Sequence, residues 1–376
     1  MIAVRLKALC LATLLAVSCK TSSDNSEASN LRDFDGLGID QSLYSQHEFW
    51  YCPTARSYNI INTYWLAESS YMAYSKRANL DELNARVERD WHSKFEYISS
   101  AKPGSVYEPD VQAFWFESQY SVTLAFRGTV TQALDNQGAV TRQWNNLITD
   151  FTTAAVPFYK GTPQFGLVHK GFQDALESIW PQISRKLQTL RGTNKPIFLT
   201  GHSLGAALAT LAAAKIAVLE PDQDIAKKNM AGLFTFGSPP VGDLVFAKEF
   251  EAARRKFSFP VLRIRNHDDI VTRAKPITLA HPRAFQHVGS LLYLDDVGYM
   301  YTSDASLGLA RYSMPAVMAE AIEKIPFIDP ADAYSDHSMV GYLRKLGQEY
   351  AVMTAAADNA GVARCEFDTL YRTRRR

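Results

Sequence analysis

Five consecutive residues, Gly201-His202-Ser203-Leu204-Gly205, have the composition of a turn built around a nucleophile. Upstream lies PIFLTG, an apolar run of strand length; downstream, AALATLAAAK reads as a helix of small residues. A strand that turns abruptly into a helix leaves no space for side chains beside the turning residue, and glycines two positions away on either side meet that demand. The Ser203 hydroxyl then projects off the sheet at the N-terminus of a helix, where backbone N–H groups favour developing negative charge. The chemistry implied is nucleophilic attack through a covalent intermediate.

A serine hydroxyl is a poor nucleophile unless a base removes its proton, and the base must be held by an acid. In strand–turn–helix nucleophiles the chain order is serine, acid, histidine. The first acids at a strand end after Ser203 are Asp268 and Asp269, which follow VLRIRN. Asp243, Glu249 and Glu251 fall on an intervening helix and face away. His202 sits inside the turn and points elsewhere. His281 and His287 precede the strand SLLYLD and read as packing or surface residues. His337, in YSDHSMVGYLRKL, stands at the entrance to a C-terminal helix, beyond the last strand. Ser203, His337 and one of the two aspartates are the candidate catalytic set.

The elements that position them alternate in type. Helices are predicted over 61–75, 80–95, 171–190 (with Pro181 a kink or break), the run after Ser203, DLVFAKEFEAARR, 305–324 and from about Ser338. Strands are predicted in AFWFES, VTLAFRG, PIFLTG, AGLFTFG, VLRIRN and SLLYLD. Buried strands alternating with helices imply an α/β fold whose mainly parallel sheet is covered on both faces. No linker divides the chain after about residue 40.

A composition of 47% hydrophobic and 21% charged residues is that of a chain with a sizeable core. The net charge of +1 gives no electrostatic case for nucleic acid as a partner. Residues 1–18 have a charged start (Arg5, Lys7), an apolar run and small residues before Cys19, the pattern of a secretory signal. Two readings follow: cleavage to a soluble secreted protein, or lipidation of Cys19 in a bacterial cell-envelope lipoprotein. Residues 19–40 then form a polar, Ser-rich tether and 41–376 the folded domain. In an oxidising compartment the remaining thiols, Cys52 and Cys365, are a candidate disulfide. Oligomeric state leaves no signal.

The blocks FRGT, VHKGF, GHSLGAALATLAA, TFGSPPVGD, RNHDDIV, FQHVGSLLYLD and DHSMVGY, in that order, resemble the fungal-type class 3 lipases, a branch of the α/β-hydrolase fold. The resemblance implies a serine carboxylester hydrolase acting on lipid acyl esters: triacylglycerol, diacylglycerol or, in A1 fashion, phospholipid. A feruloyl or other non-lipid esterase on the same scaffold is the alternative. An inactive anchored binding protein comes third. The acid directly before Ile-Val implies Asp269 as the catalytic one, and the oxyanion hole falls to the backbone of Thr129 and Leu204. No cofactor is implied; an acidic loop (Asp329, Asp332, Asp336) is a weak candidate for structural calcium. Two departures stand out: Thr272 where the family has proline, and about 40 residues between SLLYLD and His337.

In RQWNNLITDF, Trp144, Leu147, Ile148 and Phe151 fall at i, i+3, i+4 and i+7, one face of a helix. The stretch occupies the slot in which class 3 lipases carry an amphipathic lid. A mobile lid would give a lipid surface the means to open the site; the other reading is a fixed core helix.

Overall fold

Short apolar runs separated by helices pair into one eight-stranded sheet. The computed structural model describes residues 52–53, 55, 58–75, 79–100, 111–129, 154–159, 163–219, 223–273, 285–302 and 335–365. Residues 1–51 with Cys19, the stripe Trp144–Phe151, His281, 305–324, Asp329 and Asp332 lie outside them. In chain order the sheet strands are β1 (Lys94–Ser99), β2 (Gln112–Glu117), β3 (Val122–Phe126), β6 (Ile197–His202), β7 (Met230–Phe236), β8 (Val261–Asn266), β9 (Ser290–Leu294) and β10 (Met300–Tyr301). Their spatial order is the same as their chain order. A separate hairpin joins β4 (Ala155–Pro157) to β5 (Leu167–His169). β3, β6, β7, β8 and β9 run parallel; β1, β2 and β10 are antiparallel additions at the edges.

Alternate residues of each strand feed two cores. On one face Trp115, Leu124, Leu199 and Leu233 pack with α3 (Lys170–Leu190), α4 (Leu204–Val218) and α6 (Leu244–Phe257). On the other, Phe114, Phe198, Phe234 and Ile264 pack with α1 (Ile60–Met72) and α7 (Met339–Ala360). A fully buried side chain of this size contributes about 1.5–3 kcal/mol, so covering both faces accounts for the runs without polar alternation. The remaining helices are α2 (Leu80–Trp91) and the short α5 (Gln223–Lys228). This is the α/β-hydrolase fold.

Two expectations are corrected. The helix predicted to Phe95 stops at Trp91, where His92 takes a left-handed conformation (φ 46°). Beyond it the period of two in Lys-Phe-Glu-Tyr-Ile-Ser asserts itself as β1, whose Phe95 and Tyr97 pack against Phe114 and Phe116. Pro181 does not end α3: it lies on the exposed side, and the apolar stripe Phe172, Leu176, Ile179, Ile183, Leu187 continues past it. Tertiary burial of that stripe outweighs the lost hydrogen bond.

Cys52 and Cys365 are joined in a disulfide, with Cα atoms 5.7 Å apart across 313 residues of chain. Cys52 is also seated on α1, its N–H donating to Asn62 Oδ1 (2.8 Å) while Asn62 Nδ2 donates to its carbonyl (2.9 Å). Cys365 lies just beyond the end of α7, so the bridge ties together the two helices that pack on each other beneath the site. The C52A/C365A double variant is expected to lose about 2–5 kcal/mol of stability, read as a lower urea midpoint. A midpoint equal to that of the oxidised parent would show that the bridge does not constrain the chain.

Candidate active site

Ser203 is held where few residues can sit. It follows the last residue of β6, caps α4, and has φ 58° and ψ −126°, a region costing a non-glycine residue about 1–3 kcal/mol. Its N–H donates to Phe236 O at the end of β7 (3.0 Å), which fixes the turn to the neighbouring strand. The flanking glycines are steric requirements. A Cβ on Gly201 would lie 2.4 Å from the backbone of Gly205, and one on Gly205 would lie 2.1 Å from Phe126 O. Strand and helix therefore meet at a separation only glycine allows, and the alanines of α4 keep it close to the sheet along its length.

His337 and Asp269 meet beside this turn. His337 Nδ1 lies 2.8 and 2.9 Å from the two carboxylate oxygens of Asp269, and both side chains are almost wholly buried. Asp269 hangs in the turn after β8; His337 stands two residues before α7. Gly237, just past β7, lines the same space: a Cβ there would lie 2.7 Å from Asp269 Oδ2 and 3.0 Å from the His337 ring. Residues at the carboxyl ends of β6, β7 and β8 thus converge, as crevices in parallel sheets do.

Asp269 is further fixed by Val271 N–H, donating to Oδ1 (2.9 Å), and by Tyr342 OH, donating to Oδ2 (2.6 Å). Burial, then the Asp269 charge, pushes the Tyr342 phenol well above its ordinary value, so it remains a donor. Asp268 turns away and is ion-paired with Arg273 and, at 3.9 Å, with Arg265. Thr272, the departure from the family's proline, donates through its hydroxyl to Asp269 O (2.8 Å) and closes the turn that proline would have stiffened.

His202 does not point elsewhere. Its ring lies 4.5 Å from that of His337, its Nε2 is 2.7 Å from His337 O, and its Nδ1 is 2.7 Å from Tyr74 OH. Only a donating Nε2–H suits the carbonyl, so Nδ1 accepts from the tyrosine. Burial, reinforced by His337, holds His202 well below the usual histidine range, and burial raises Tyr74, so neither changes charge near neutrality. Tyr74 reaches this position because Gly128 has no Cβ: one would lie 2.0 Å from the phenol oxygen. Thr129 follows as an exposed residue beyond the end of β3, adjacent to β6, and Leu204 opens α4 directly after Ser203.

Asp243, Glu251, His287 and Asp336 have structural employment. Asp243 caps α6 by accepting from Phe246 N–H (2.8 Å), and Glu251 pairs with Arg254 and Arg255. His287 is partly buried, with Nε2 2.8 Å from Thr272 O. Of the acidic loop only Asp336 is described. Its carboxylate is partly buried and accepts from His267 and from Asp268 N–H. Among the described residues no group of three or more His, Cys, Asp or Glu is placed to hold a metal ion.

Residues 123–279, which include Ser203 and Asp269, match the family described as lipase (class 3). Over these residues the chain is similar to the class 3 lipases. Its similarity to curated members is partial. It is 32% identical to phospholipase A(1) DAD1, chloroplastic, of Arabidopsis thaliana over 168 residues, 42% of this chain and 34% of that protein. It is 30% identical to galactolipase DONGLE, chloroplastic, of the same plant, over 40% of this chain and 33% of the relative. The chain thus spans about a third of the length of these lipase relatives. Among solved structures, a Rhizomucor miehei lipase propeptide complex aligns with a TM-score of 0.48 at 23% identity, covering 67% of this chain and 76% of that one.

Proposed function

We propose that the protein is a serine hydrolase that cleaves carboxylic acyl esters of lipids. The observation that carries the reading is the buried Asp269–His337 pair, its imidazole packed on His202 in the strained turn whose next residue is Ser203. Ser203 Oγ attacks the ester carbonyl carbon while His337 Nε2 takes its proton; Asp269 holds Nδ1–H and stabilises the imidazolium. The oxyanion is met by the backbone N–H groups of Thr129 and Leu204, the second at the positive end of α4. Collapse expels the alcohol with the proton from His337, and water then repeats the sequence on the acyl-enzyme to release the fatty acid.

Two features support a lipid substrate. The relatives bear the names of phospholipase A(1) and galactolipase. Leu244, Val245, Val297 and Tyr299, all 40–62% exposed, follow the carboxyl ends of β7 and β9, the end of the sheet that carries Ser203. Export is supported by the disulfide, which persists in oxidising compartments. Lipidation of Cys19 rests on sequence, and the mass of the N-terminal peptide decides between a lipidated Cys19 and a simple signal cut.

The test is hydrolysis of p-nitrophenyl esters of graded chain length below and above their critical micelle concentrations, with dispersed triacylglycerol, phosphatidylcholine and galactolipid alongside. Fatty acid release from a dispersed lipid and a steep rise on micelle formation are expected. Smooth saturation on soluble esters with no release from any lipid would replace this reading with a non-lipid carboxylesterase.

A further inference from the structure

Asp269 and His337 are 68 residues apart in the chain, and each hangs from a turn rather than from the body of an element. Something must hold those turns in mutual register, since a misplacement of about 1 Å can cost about a hundredfold in rate. The residues immediately before each of the pair make that connection. Asp336 Oδ2 accepts from His267 Nδ1 (2.9 Å) and from Asp268 N–H (3.0 Å), while Asp336 O accepts from Asn266 Nδ2 (2.9 Å). One residue next to the candidate base therefore gathers three successive residues leading to the candidate acid.

The acid turn is itself shaped for this. His267 adopts φ 32°, uncommon for a residue with a side chain, and its N–H donates to Leu294 O (2.7 Å) while Arg265 Nε donates to its carbonyl (3.0 Å). Its backbone is pinned and its ring is delivered to Asp336. The His267 side chain remains 33% exposed against 15% for Asp336, so protons reach the pair from solvent.

We propose that His267 and Asp336 are positioning residues, a charge-assisted latch that holds the Asp269 turn against the His337 turn in catalytic register. The proposal rests on reading Asp269 and His337 as the acid and base of the hydrolase. Among the described residues, the charged groups acting on His267 are Asp336 from the turn before α7, Asp268 beside it, and Lys345 from α7. Burial alone would lower the imidazole; the hydrogen bond and charge of Asp336, with Asp268, overcome both burial and Lys345 and hold it above the usual histidine value. The sign follows: the charged latch is fully present below the ordinary histidine range and weakens as pH rises through the raised one. Neutral His267 keeps at most an ordinary hydrogen bond.

The experiment compares the full-length protein with its H267Q, H267K and D336N variants on a soluble short-chain p-nitrophenyl ester from about pH 6 to about pH 9. Each is normalised to active sites by fluorophosphonate labelling. The unaltered protein should lose about fivefold in kcat across an alkaline limb, with KM little changed. H267Q and D336N should start about fivefold lower and lack that limb, whereas H267K, a cation throughout, should recover the rate relative to H267Q and hold it at alkaline pH. An H267Q profile superimposable on that of the unaltered protein, or an H267K variant as slow as H267Q at every pH, would overturn the latch. Failure of the unaltered protein to label at all would instead overturn the serine mechanism, so the two failures are separable.

Discussion

Replacing Ser203 by alanine is expected to lower kcat on a soluble ester by about a millionfold, the scale on which a hydrolase loses its covalent route. The substitution removes one oxygen and leaves the turn intact. Alanine pays the same positive-φ cost as serine, the Ser203 N–H to Phe236 O bond involves only backbone, and Gly201 and Gly205 still allow the strand and helix to meet. KM and the urea midpoint should therefore stay close to those of the parent. A variant retaining more than about one part in a thousand of the parental rate would mean that the covalent step proceeds elsewhere.

The second large effect separates two adjacent aspartates. D269N is expected to lower kcat by about ten-thousandfold. Asp269 accepts from His337 Nδ1, Val271 N–H and Tyr342 OH, so an amide placed there presents donors to donors. The imidazole then shifts its proton to Nε2, the atom that has to receive the serine proton. D268N should act on stability instead. Its carboxylate pairs with Arg273 and Arg265 at the buried end of β8, and removing one member of such a pair costs about 3–5 kcal/mol. The comparison is read as kcat per labelled site for the first variant and as the urea midpoint for the second. Exchange of those two outcomes would assign the acid to Asp268.

The fold was legible because its signals are local. VLRIRN is β8 residue for residue, and the small residues of GAALATLAAAK state in the sequence how near α4 comes to the strands. β1 is absent from the sequence reading because its first two residues extend the helical pattern of 80–95; pairing with β2 selects the strand. Pro181 does not break α3 for the opposite reason, since a strong local signal is overruled by the buried stripe on either side.

The site divides in the same way. A nucleophile turn states its own sterics through two glycines. The choice between Asp268 and Asp269 cannot be read from spacing, since both follow β8 and differ only in which partner each side chain finds across the fold. Tyr342, the Tyr74–His202–His337 connection and the His267–Asp336 latch join residues 69 to 135 positions apart, and no periodicity records such contacts. His202 had one usable cue: a histidine beside a buried nucleophile needs two partners, which invites a search for them.

The most direct measurement is the site of covalent capture. After reaction of the purified, disulfide-intact protein with a fluorophosphonate, digestion and tandem mass spectrometry should place one phosphonyl group per molecule on Ser203, and the H337A variant should be labelled far more slowly. A label distributed over other serines, or placed on Ser203 at the same rate without the His337 imidazole, would contradict a hydroxyl activated by the buried pair.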